Sequence, residues 1–184
     1  MNKTSLTTYI AITGCVIIGT YFIIPDIFNI EYETLWAGIE NRHIYYVSMI
    51  AAAISFLIVA YLTVYYYDPN KDGASPATST YQDDVKEYNK QTMIYSLILI
   101  PSAFWMLFTC MYFKYRNNVF KFLTMVCLIL TTTGSVLLNF YMSKKPVDKY
   151  YYHYWLGLIA SIIFTFQVGG LDLLVWGFGN FMHK

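Results

Sequence analysis

The stretch "YYHYWLGLIASIIFTFQVGGLDLLVWGF", residues 151–178, decides the fold. It holds one carboxylate, Asp172, and neither a lysine nor an arginine. About 20 largely apolar residues cross a hydrocarbon core of about 30 Å as a helix, and this run is long enough to do so. A lone strand would leave its backbone groups unpaired in lipid, so the run must be helical. Trp155 and Trp176 stand 21 residues apart. At 1.5 Å per residue that is about 31 Å, which suits a pair of interfacial anchors.

The same pattern recurs along the chain at residues 8–28, 44–67, 93–113 and 119–142. With 151–178 these make five predicted transmembrane helices in one all-α, polytopic bundle, a single transmembrane domain over residues 1–184. Composition agrees: of 184 residues, 57% are hydrophobic, 20% aromatic and only 12% charged, whereas a soluble domain is about one quarter charged. The first span reads as an uncleaved signal anchor, because it follows a single lysine and lacks a convincing small-x-small cleavage site before Pro25 and Asp26. The long connection, residues 68–92, carries Pro69, Gly73 and Pro76 and reads as a flexible polar loop. Within it "DDVKEYNK" is compatible with a short polar surface helix. No internal repeat or domain boundary is visible.

Charge excludes one class of partner. Twelve basic residues nearly cancel eleven acidic ones, so the excess of cations that holds a phosphate backbone is missing and nucleic acid is not expected. Five spans place lysines 3, 71, 86, 90, 144, 145 and 149 on one face, against Arg42, Lys114, Arg116, Lys121 and Lys184 on the other. That imbalance leans toward a cytoplasmic N-terminus. It says nothing of which membrane is occupied. Tyrosines 61, 65–67, 141, 150–152 and 154 gather with Trp155 on the lysine-rich side as an interfacial belt.

No chemical motif stands out. Cys15, Cys110 and Cys127 are scattered through apolar runs, and His43, His153 and His183 lie near span boundaries, so neither a metal site nor a cofactor is expected. There is no nucleophile–base pair, and the Asp83–Asp84 pair lies in the polar loop without a histidine neighbour. A non-enzymatic role is the better supported one.

Polar residues inside the spans remain, and in lipid they require partners. Ser161, Thr165, Gly169, Asp172 and Trp176 recur at intervals of 4, 4, 3 and 4, one stripe of an unbroken α-helix. Gln167 falls about 140° from Asp172 at 100° per residue, on another face. The Gly169–Gly170 pair between them either permits close packing or breaks the helix and brings both groups into one cavity. In the third span Ser102, Trp105, Thr109 and Tyr112 form a second stripe, beginning at the helix-kinking Pro101. Small residues at Ala11, Cys15 and Gly19, and at Ser48, Ala52 and Ser55, mark expected close packing between helices.

Asp172 lies about 6 Å inside the boundary marked by Trp176 if the helix is regular. It then shares that half of the membrane with Asp26, Ser48, Thr109, Tyr112 and Thr124. The expectation is a ligand or ion pathway lined by Asp172, Gln167, Thr165, Ser161, Trp176, Thr109, Tyr112, Trp105 and Ser48. A protein that binds or conducts a small solute, ion or proton through it follows. The bland alternative ties Asp172 to Tyr112, Thr109 or a basic loop residue to fix helix orientation. The competing function is a noncatalytic accessory or assembly subunit of a larger membrane complex. The expected partners are the lipid bilayer and, for either function, further copies of the chain or other membrane subunits.

Overall fold

In the computed structural model, residues 3–36, 39, 42–66, 81–145 and 151–181 are described. Among them there is no strand. The elements are α1 (Lys3–Phe28), a single turn α2 (Tyr32–Leu35), α3 (Arg42–Tyr61), α4 (Tyr81–Tyr115), α5 (Asn118–Ser143) and α6 (Tyr151–Thr165). Two helices change form near their ends. α3 runs on as a π-helical turn over Leu62–Tyr66, and α6 as a π-helix over Phe166–Phe181. Five helices are long and apolar enough to cross a membrane, and they coincide with the five expected spans.

The outside of the bundle is apolar. Ile18, Phe22, Val47, Leu57, Phe122 and Ile159 are among many large side chains left exposed. A soluble monomer rarely shows so much contiguous apolar surface, and lipid is the solvent that accepts it. The interior divides into two apolar clusters stacked along the bundle. One gathers Leu6, Val59, Tyr95, Ile98, Leu138 and Met142 toward the N-terminal end of α1. The other gathers Leu35, Trp36, Trp105, Met106, Leu128 and Trp176 toward its C-terminal end.

Local sequence explains the joints. α1 stops after Phe28 because Asn29 adopts a left-handed φ of 52°, which asparagine tolerates well, and Ile30 N donates to Pro25 O at 3.0 Å. The α4–α5 turn is tight: Arg116 N donates to Tyr112 O at 2.7 Å, and the Asn117 side chain caps α5 by accepting from Val119 N at 2.9 Å. α4 and α5 therefore lie side by side, and Gly134 lets them touch. A Cβ there would stand 2.8 Å from Ile98 Cγ1 and 3.0 Å from the Leu97 carbonyl carbon. Leu97 is the residue whose carbonyl loses its helical donor to Pro101, so the backbone is approached where its ladder is interrupted. α4 nevertheless continues through Pro101 as one helix.

Two expectations are revised. The segment "DDVKEYNK" belongs to α4 itself, a polar N-terminal extension continuous with the span; residues 68–80 of the expected loop lie outside the described residues. Ala11 and Cys15, expected to pack between helices, face outward on α1, the least buried of the five spans. α1 rests mainly on α4 and turns its small-residue stripe away from the bundle.

Candidate functional site

Asp172 sits in the π-helical half of the last span. Four of the 16 residues from Phe166 to Phe181 are glycines, and each lowers α-helix preference by about 1 kcal/mol relative to alanine. The wider turn with i→i+5 periodicity takes its place. Its consequence is direct: residues five apart come onto one face, and Gln167 Nε2 donates to Asp172 Oδ1 at 3.0 Å. The 140° separation of an α-helix is removed.

The second donor to the same oxygen is the Tyr45 hydroxyl, from the first turn and a half of α3. Two donors on one oxygen suit an ionised carboxylate. Among the described residues no lysine, arginine or histidine forms an ion pair with it. The ties foreseen to Tyr112, Thr109 or a basic loop residue are replaced by these two. Gln167 is 3% exposed, and its Oε1 has no hydrogen-bond partner among the described residues.

Aromatic side chains close the site on the side of the α1–α3 connection. Trp36 follows α2, and its ring centroid lies 5.0 Å from Tyr45, 6.2 Å from Trp105 and 6.1 Å from Trp176. Trp176 and Trp105 meet edge to face at 5.2 Å, and Trp176 stacks on Phe181 at 4.7 Å. The indole N–H groups of Trp176 and Trp105 both have partners. Trp176 Nε1 donates to Leu35 O at 2.9 Å, and Trp105 Nε1 donates to the Tyr21 hydroxyl at 3.1 Å. Tyr32 reaches back to the α1 carbonyls of Tyr21 and Phe22 at 3.2 and 3.1 Å, tying α2 to α1.

The other expected pathway residues are distributed differently. Tyr112 joins the aromatic group through Phe181 at 5.1 Å, with Lys121 Nζ 5.4 Å above its ring. Thr109 and Ser48 turn to their own helices, donating to Trp105 O at 2.8 Å and Tyr45 O at 2.7 Å. Thr109 also meets Thr124 at 3.5 Å. Ser161 donates to Leu158 O, and Thr165 donates to Ser161 O while accepting from Asn139 Nδ2 at 2.7 Å. The single stripe from Ser161 to Trp176 thus splits where α6 becomes a π-helix. Thr165 and Gly169 look toward α5, across a groove of about 440 Å³ lined also by Thr132, Asn139, Phe166 and Leu174. Asp172 does not line that groove and turns instead to α3.

A second polar network lies at the opposite end of the bundle, where no site was foreseen. Glu87 Oε1 accepts from the Tyr141 hydroxyl at 2.7 Å and from Lys145 Nζ at 3.1 Å. Gln91 Nε2 donates to Tyr141 at 2.7 Å. Lys145 and Lys90 stand 4.1 and 5.2 Å above the Tyr141 ring. One turn inward from Gln91, Tyr95 and Thr63 share a buried hydrogen bond. Phe56 then contacts both Tyr95, at 5.9 Å, and Phe164, at 5.3 Å, so aromatic rings lie between the two polar ends.

Sequence reasoning missed Tyr45, Trp36, Glu87 and Gln91. A signal existed for Trp36: Leu35-Trp36 is an adjacent pair of large apolar residues in the short connection between two spans, 1% and 4% exposed in the fold. Glu87 and Gln91 were hidden by assigning their segment to a loop. No known protein family matches this chain, and neither does any curated protein or solved structure.

Proposed function

We propose that the protein binds a positively charged species, a proton or a small cation or cationic solute, at Asp172 and conducts it through the bundle. One observation carries this reading. A carboxylate inside a membrane span receives two hydrogen bonds from Tyr45 and Gln167 yet pairs with no cation among the described residues. Ionisable groups at membrane depth are expensive and mark ion or proton sites when no structural counter-ion neutralises them. The Glu87–Tyr141–Gln91 network supports conduction by supplying polar groups at the other end. Between them the Phe56–Phe164 contact would act as the barrier that opens during passage.

The test is flux in proteoliposomes, driven by a pH or cation gradient. Asp172→Asn keeps the size and a hydrogen-bonding group but removes the charge. It should abolish flux while the protein elutes and unfolds as the native form does. Undiminished flux in the variant, or none from the native protein, would sink the reading.

A second reading has its own observation. Ala11 and Cys15 face outward on the least buried helix, the side from which another membrane subunit would pack. An accessory subunit predicts co-purification through α1 that Ala11→Leu disrupts and Asp172→Asn leaves intact.

A further inference from the structure

We infer that the Asp172 cluster is a site for a protonated amine, and that Trp36 occupies the place of the amine's apolar part in this conformation. The inference rests on the cation reading above and names the ligand chemistry. Three neighbouring features demand the same thing of an occupant. Asp172 offers negative charge without a cationic partner among the described residues. Gln167 offers an acceptor: its Oε1 is buried and unpartnered. Its orientation is fixed chemically, because exchanging the amide's oxygen and nitrogen would turn Oε1 toward a carboxylate oxygen. Tyr45, Trp105 and Trp176 bring aromatic rings together there, and the π system of such a ring attracts positive charge.

Other ligand classes fit less well. An anion would meet Asp172. A quaternary ammonium has no N–H for Gln167, and a hard metal ion seeks more oxygens than Asp172, Gln167 and Tyr45 provide. A protonated amine uses every feature: N–H toward Gln167 and Asp172, and carbon against the rings. The fold already places an indole among those rings, at 5.0 to 6.2 Å from three of them. It arrives on the α1–α3 connection, held by the Trp176 bond to Leu35 O. Trp36 is thus a built-in competitor, and its departure would leave an indole-shaped space beside Tyr45.

The probes follow from that shape. Tryptamine carries an indole and an ammonium group, whereas tryptophol carries the same indole and an uncharged hydroxyl. Calorimetric titration into protein in lipid nanodiscs should show native protein preferring tryptamine. Trp36→Ala should tighten tryptamine about tenfold by removing the competing state, with much less gain for tryptophol. Asp172→Asn should erase the preference. If Trp36→Ala does not fold, Trp36→Phe replaces it with a smaller gain, and the native against Asp172→Asn comparison still decides.

Equal binding of the two probes by Trp36→Ala would reveal an ordinary apolar cavity and overturn the inference. A tryptamine preference that survives in Asp172→Asn would do the same. Asp172-dependent proton or alkali-cation flux without any amine preference overturns the inference and leaves the cation reading standing. Amine preference without flux of any ion supports the site and overturns conduction. Absence of both overturns both.

Discussion

At the scale of single residues, what matters is whether each buried polar atom has a partner. Ser161, Thr109, Thr124, Thr131 and Ser135 are buried, and each donates to a carbonyl of its own helix, so their presence needs no function. Asp172 and Gln167 cannot be satisfied that way. They are the residues that hydropathy reading singled out, and the structure joins them. Tyr45 was not legible because a tyrosine two residues inside a predicted span looks like any other interfacial anchor. The small residues show the opposite error: Ala11 and Cys15 have the spacing of a packing stripe but face outward, whereas Gly134, which no stripe marked, sits against Leu97 and Ile98. Spacing reports which residues share a face, and only the neighbouring helix decides which face is used. Gly134→Leu should overpack the α4–α5 contact and lower stability by about 1–3 kcal/mol. Unfolding in mixed micelles measures this, and an unchanged midpoint would show that the two backbones are not in contact there.

At the scale of elements, all five spans were legible, because a 30 Å hydrocarbon layer imposes a length that composition reveals directly. The change of helix type was not. Periodicity analysis assumes 100° per residue, and under that assumption Gln167 and Asp172 stand apart. Four glycines between Phe166 and Phe181 weaken the α-helix enough for a wider turn, and the same residues then meet. The turn over Leu62–Tyr66 has a related local cause: Thr63 Oγ1 lies within 2.9 and 3.1 Å of the carbonyls of Val59 and Ala60, competing with the backbone ladder. Solid-state NMR of labelled protein in bilayers should give a cross-peak between the Gln167 side-chain nitrogen and the Asp172 carboxyl carbon. An α-helical last span would show none.

At the scale of the whole molecule, the bundle has a polar network near each end, the Phe56 ring contacts with Tyr95 and Phe164 between them, and the Trp36 aromatic cluster beside one. Only the half containing Asp172 was anticipated. The other was obscured because the polar N-terminal turns of α4 resemble a loop when hydropathy alone is considered. Lipid contact over the outer surface and two stacked apolar clusters inside hold this arrangement. The central claim is that Asp172 is an ionisable group that an external cation can reach. The direct measurement is difference infrared spectroscopy of the protein in bilayers, exchanging buffers of different pH and then adding tryptamine. A carboxyl band that responds to both and is missing from Asp172→Asn is the predicted result. A spectrum in which no band assigned to Asp172 responds to either would contradict it.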